Sequence, residues 1–121
     1  MPSQKKILIV EDEKPIAKAM ELKLNNSGYF AKAVFDGMEA LKELDKEKYD
    51  LLLVDIMMPN MDGFTLLGKL REKNINTPAI VTSNLSQKED VEKAKNLGAR
   101  DFFVKSDTPL TEIVRRVEKF I

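Results

Sequence analysis

Neither cysteine nor histidine occurs among the 121 residues. The first absence excludes disulfides and thiolate chemistry. The second excludes histidine general bases, histidine metal ligands and any phosphohistidine on this chain. No charge of one sign predominates. Lys and Arg number 20 and Asp and Glu number 20, so no global field draws the chain directly to nucleic acid or to an anionic membrane. Long hydrophobic runs are missing as well. Ile7–Val10 is too brief for a signal-peptide core or a membrane span, and Met1–Lys6 before it is short and polar. There are no repeats, low-complexity segments or linkers. The default location is cytoplasmic.

What is present is an ordinary globular composition, 43% hydrophobic and 33% charged. The length suits one domain, residues 1–121, able to bury roughly two-thirds of its unfolded surface. The chain is organised around LLLVDIMMPNMDG, Leu51 to Gly63. Leu51–Val54 is an unbroken apolar run, which suits a parallel strand covered on both faces. Asp55 follows at its carboxyl end, and Pro59 and Asp62-Gly63 punctuate a loop. A carboxylate at the rim of an apolar sheet is costly unless something pairs with it.

Other runs fall around this one. Ile7–Val10 predicts a first strand, ending at Glu11 and Asp12. Lys14–Asn26 shows helical spacing at Ile16, Met20 and Leu24, with Pro15 in the first turn and Gly28 just past the end. Phe30–Val34 reads as a weaker strand. Asp36 is a candidate N-cap for a helix through about Leu44, with Met38, Leu41 and Leu44 on one face. Gly63 to about Lys73 reads as a helix carrying Phe64, Leu67 and Leu70. Pro78–Thr82 is a fourth strand. Ser86 and Glu89 fit a capping box for a helix with Val91, Ala94 and Leu97 inward and Gly98 as its stop. Asp101–Val104 is a fifth strand ending at Lys105. Thr108 is expected to cap a last helix with Pro109 in its first turn and an apolar stripe at Leu110, Ile113, Val114 and Val117. Met20 and Met38 read as core filling, and Met57, Met58 and Met61 as loop packing. Five strands alternating with five helices indicate an α/β fold on a doubly wound parallel sheet, where ligands bind beyond the carboxyl ends of the strands.

That edge collects Glu11 and Asp12 from the first strand, Asp55 from the third, Thr82 from the fourth and Lys105 from the fifth. Each residue alone has a bland reading: Asp55 as a turn residue, Glu11 and Asp12 as helix caps, Thr82 as a β-former, Lys105 as a solvated side chain. Their convergence defeats those readings. Three neighbouring carboxylates repel one another, and a hard divalent cation on oxygen ligands, Mg²⁺, resolves the conflict. With an ammonium and a hydroxyl added, the site suits a phosphoryl group, with Asp55 as its nucleophile.

These residues carry a resemblance. Glu11-Asp12, Asp55 within VDIMMPNMDG, Thr82, Gly98-Ala99 and Lys105 together make the chain resemble a receiver domain of two-component response regulators, of the single-domain chemotaxis-regulator kind, over essentially its full length. The resemblance implies the flavodoxin-like (βα)5 strand order 2-1-3-4-5. It implies phosphorylation of Asp55 by a phosphohistidine of a sensor histidine kinase or histidine phosphotransfer protein. It implies Mg²⁺ held by Asp12, Asp55 and the backbone carbonyl of Met57, with Glu11 acting mostly through water, and Lys105 on the phosphoryl oxygens. Thr82 would swing toward the phosphoryl group and let Phe102 change its burial. Helix four, strand five and helix five would then form the surface read by a downstream protein. Slow self-catalysed hydrolysis, no metabolic substrate, and a monomer or weak homodimer complete the expectation. The chain ends with the fifth helix, so no output domain is expected within it.

The sequence departs from the family at three places. Phe102 lacks the hydroxyl that a tyrosine would carry. Met57 and Asn84 lie where the family varies to tune phosphate lifetime. Ser106 replaces the usual proline after Lys105, so a trans Lys105–Ser106 peptide is expected, with Lys105 still aimed at Asp55. One rival is a pseudo-receiver, a phosphorylation-independent interaction module, against which the intact acids and Lys105 argue. A phosphatase of the haloacid dehalogenase type would place its nucleophile after the first strand with a second Asp two residues on, where this chain has Met57 after Asp55. A flavin or nucleotide binder would meet repulsion from Glu11-Asp12-Glu13.

Overall fold

The computed structural model describes residues 4–84, 87–105 and 108–121. Strands and helices alternate throughout: β1 Lys6–Val10, α1 Lys14–Asn26, β2 Phe30–Val34, α2 Gly37–Lys46, β3 Leu51–Asp55, α3 Gly63–Glu72, β4 Ala79–Ser83, α4 Lys88–Asn96, β5 Ala99–Val104 and α5 Leu110–Phe120. The five strands form one sheet in the order β2-β1-β3-β4-β5, every neighbouring pair parallel. This is the flavodoxin-like order that the family resemblance implies.

The unbroken apolar runs are explained by two layers of helices. Leu8, Val10, Leu52, Val54 and Val81 point to one face and pack with Ala40, Leu66, Leu67, Leu70 and Ala94 of α2, α3 and α4. Ile7, Ile9, Leu51, Leu53, Ile80 and Phe103 point to the other face, against Met20 and Leu24 of α1 and Ile113 and Val117 of α5. Alternate residues of β1, β3 and β4 therefore serve opposite faces, and no polar position intervenes within Ile7–Val10, Leu51–Val54 or Ala79–Val81.

The helix ends follow local chemistry. Gly28, at φ 99°, closes α1: its N–H donates to the Asn25 carbonyl, and the Tyr29 N–H donates to the Leu24 carbonyl. Asn74, at φ 58°, does the same for α3. Asp36 caps α2 as expected, accepting from the Glu39 N–H at 2.8 Å.

Three expectations need correction. Met38 is not core filling; it is 46% exposed, and α2 instead turns Gly37, Ala40 and Glu43 inward, with Leu41 and Leu44 half-buried. Thr108 does not cap α5. Its hydroxyl donates to the Val104 carbonyl at 2.9 Å, and Pro109 occupies the N-cap position. β5 begins at Ala99 rather than Asp101, because a register shift between Ala79 and Ile80 lets it pair earlier. The expected Ser86 cap lies outside the described residues; α4 starts after Gln87.

The open edge of β2 is covered by side chains. Phe30 donates to Lys5 and Val34 accepts from Glu11, so Ala31 and Ala33 face away from β1. Asn25 of α1 accepts from the Ala31 N–H at 2.9 Å and donates to the Ala31 carbonyl at 3.2 Å. Glu21 accepts from the Ala33 N–H at 2.7 Å. An uncovered edge strand is a template for a second chain. The double variant Glu21→Ala, Asn25→Ala is therefore expected to associate more strongly with concentration than the parent in sedimentation velocity. Unchanged association would mean that this edge needs no cover.

Candidate functional site

The chain runs from β1 outward to β2 and then returns to β3 on the other side of β1. The strand order reverses between β1 and β3, and the crevice beyond their carboxyl ends is the usual ligand position in such a sheet. Parallel pairing brings all strand ends to the same rim. Val10 is level with Val54, and Asp55 with Thr82. Glu11 and Asp12 thus emerge beside Asp55, Thr82 lies next to it on the other side, and Lys105 follows the last residue of β5.

The side chains meet. Lys105 Nζ lies 2.8 Å from Glu11 Oε1, 3.2 Å from Asp55 Oδ2 and 3.6 Å from Glu13 Oε1. Carboxylate oxygens of Glu11, Asp12 and Asp55 all lie within 4.8 Å of one another. Glu11, Asp55, Thr82 and Ser83 are buried, whereas Asp12 is half-buried and opens the site to solvent. A hollow of about 530 Å³ adjoins it, lined by Asp12, Ile56, Met57, Met58, Pro59, Asp62 and Phe64. Lys105 is aimed at Asp55, as expected; the Lys105–Ser106 peptide itself lies outside the described residues.

The electrostatics follow from this crowding. Burial, reinforced by the nearby Glu11 charge, pushes the Asp55 carboxyl up to about 7, although Lys105 pulls the other way. Burial also works against the Lys105 charge, but its bonds to Glu11 and Asp55 outweigh that and hold its pKa above the ordinary value. One ammonium contacts three acids, counting the exposed Glu13, and a fourth, Asp12, lies within 4.8 Å of Glu11 and Asp55. The donor set is all oxygen, three carboxylates converge, and a half-buried acid opens to water. That fits a hard divalent cation that keeps part of its water shell.

Every side chain predicted for the site except two stands at the rim in mutual contact or register. Met57 is 62% exposed in the loop after β3, so it is not the loop packing expected of it. Phe102 lies three residues before Lys105 along β5, paired in register with Val81, half-buried against the α2–α4 layer. Sequence reasoning passed over Glu13 as a partner of Lys105; its only signal was that it continues the run Glu11-Asp12.

The chain matches the response regulator receiver domain family over residues 7–118. It is 39% identical over 100 residues to the transcriptional regulatory protein DltR of Streptococcus agalactiae, covering 83% of this chain and 45% of that protein. It is 34% identical over 117 residues to the alkaline phosphatase synthesis transcriptional regulatory protein PhoP of Bacillus subtilis, covering 97% and 48%. The solved receiver domain of the Francisella response regulator 1452 superimposes with a TM-score of 0.91 at 35% identity, covering 97% of this chain and 96% of that one. The chain belongs to the response regulator receiver domain family. It spans about half the length of the curated relatives it matches. Among the described residues, no helix is long and apolar enough to cross a membrane.

Proposed function

We propose that this chain is a receiver throughout residues 1–121 and accepts a phosphoryl group on Asp55 from a phosphohistidine. The donor is a sensor histidine kinase or a histidine phosphotransfer protein of a two-component system, in the cytoplasm. The observation that carries the reading is a buried carboxylate, Asp55, held 3.2 Å from the Lys105 ammonium within a cluster of acids at the switch point of the sheet. An Asp55 oxygen attacks phosphorus, the P–N bond breaks, and the imidazole nitrogen leaves with the electron pair and takes up a proton. In the discharge, water attacks phosphorus, the P–O bond to Asp55 breaks, inorganic phosphate leaves carrying the water oxygen, and the carboxylate is restored.

Asp12, Asp55 and the Met57 carbonyl would hold Mg²⁺, with Glu11 acting mostly through water. When bound, the ion neutralises charge on the acids and on the transferring phosphoryl oxygens. Lys105 exchanges its contact with Asp55 for a phosphoryl oxygen. Thr82, one strand over from Asp55, turns its hydroxyl toward the same group, and Phe102 changes its burial. The altered surface of α4, β5 and α5 is read by a downstream protein, and the chain itself, as a monomer or weak homodimer, makes no direct contact with nucleic acid. Output through a further domain, as the names of the transcriptional regulators suggest, belongs to the same reading.

With acetyl phosphate and Mg²⁺, the parent chain should gain the mass of one phosphoryl group. Asp55→Asn, or the parent with a chelator, should gain none. Equal labelling of parent and Asp55→Asn would overturn the assignment and favour a phosphorylation-independent interaction module.

A further inference from the structure

The loop between β3 and α3 carries Met57, and it is braced from α2. Asp36 does this with one carboxylate. Its Oδ1 accepts from the Glu39 N–H at 2.8 Å, capping α2, while its Oδ2 accepts from Asn60 Nδ2 at 3.0 Å. The Glu39 N–H first, and the Asn60 amide after it, hold the Asp36 carboxyl below its usual range. Asn60 sits at φ 68°, a left-handed conformation that asparagine tolerates better than most residues. The next residue, Met61, is buried against Gly37; a Cβ on Gly37 would lie 2.9 Å from Met61 Cβ and 3.0 Å from its carbonyl oxygen. Behind the loop, the Gly63 N–H donates to the Ile56 carbonyl at 2.8 Å, and a Cβ on Gly63 would lie 2.9 Å from Ile56 Cα. Residues 56–62 are thus pinned at both ends and in the middle.

We propose that Asp36 is a positioning residue for the metal and phosphoryl site. Through Asn60 and the Gly37–Met61 contact, it fixes the loop that presents the Met57 carbonyl to Asp12 and Asp55. The inference rests on the reading proposed above for that site. Mg²⁺ demands near-ideal octahedral geometry at about 2.0–2.1 Å, so a ligand on a loose loop must be ordered at the expense of affinity. Asp36 removes that requirement from outside the site, as partners beyond the ligand shell do in other metal centres. It also couples α2 to the rim, since whatever shifts the start of α2 also shifts Asn60.

Two variants separate positioning from stability. Asp36→Ser keeps an oxygen to accept the Glu39 N–H but is too short to hold Asn60. Asn60→Gly keeps the left-handed backbone and removes the amide. Each is expected to weaken Mg²⁺ binding by about tenfold in calorimetric titration. The double variant should bind no more weakly than the weaker single one, because the same bond is lost. Phosphorylation by acetyl phosphate should slow at low Mg²⁺ and recover toward the parent rate at saturating Mg²⁺. Parent-like affinity in both single variants, or additive losses in the double variant, would overturn the inference alone. A parent chain that binds no Mg²⁺ would overturn the proposed function and this inference together.

Discussion

In metal-free buffer above neutral pH, Asp55→Asn is expected to be more stable than the parent chain. Asp55 is buried beside Glu11, and its folded value of about 7 stands above its ordinary 3.8. The two values set a cost of about 4 kcal/mol as a ceiling, a large part of a small domain's net stability of roughly 5–15 kcal/mol. The sign follows from linkage. Between about pH 4 and 7 the folded chain holds a proton that the unfolded chain has released, so this group's contribution falls as pH rises through that window. Above the folded value the full penalty remains. The difference between variant and parent should therefore be greatest near pH 8, shrink as pH drops through about 7, and vanish near 4. Mg²⁺ should raise the denaturation midpoint of the parent and raise that of Asp55→Asn much less, because only the former presents the full charge. Urea titrations of both proteins across pH test this. A pH-independent difference, or a destabilised variant at about pH 8, would show that Asp55 is not the strained group.

Such strain explains why the site was legible in the sequence. Parallel strands all deliver their carboxyl ends to one rim, so Glu11, Asp12, Asp55, Thr82 and Lys105 could be placed together from strand boundaries alone. The unbroken runs Ile7–Val10 and Leu51–Val54 were equally readable, because helices cover both faces. What escaped the sequence depends on partners distant along the chain. Asp36 carries a cap signature, but nothing local points to Asn60, 24 residues on. Asn25 and Glu21 look like solvated helix positions until β2 is set beside them. Thr108 before Pro109 has the form of a cap, yet its hydroxyl turns back to Val104. In α2 the apolar spacing holds for Leu41 and Leu44, which pack against the core, but not for Met38, which is exposed. The inward face includes Glu43, whose acceptability depends on Tyr49 and Lys32.

Glu43 supplies the second large effect. Its carboxylate is buried between α2 and the sheet, accepting from the Tyr49 hydroxyl at 2.6 Å and from Lys32 Nζ at 3.1 Å. The Tyr49 bond first, and Lys32 after it, hold the Glu43 carboxyl below its ordinary 4.5. Burial, and the same carboxylate, hold the Tyr49 hydroxyl well above its usual value, so it stays a donor. Glu43→Ala leaves that buried hydroxyl without its acceptor, while the half-exposed Lys32 returns to water. Loss of a charge-assisted bond together with an orphaned donor predicts a destabilisation of about 3 kcal/mol. Because the folded value is depressed, the stabilisation is present above the unfolded value and is lost as pH falls through the folded one; the gap between parent and Glu43→Ala should therefore narrow in acid. Tyr49→Phe alone should cost less than Glu43→Ala, since Lys32 still partners the carboxylate. A buried polar pair is often replaceable by apolar groups once both partners go. Glu43→Leu combined with Tyr49→Phe should therefore recover most of the loss seen in Glu43→Ala. If instead the losses add and the double variant is the least stable of the set, the network does more than satisfy its own buried charges, and α2 depends on it for placement against the sheet.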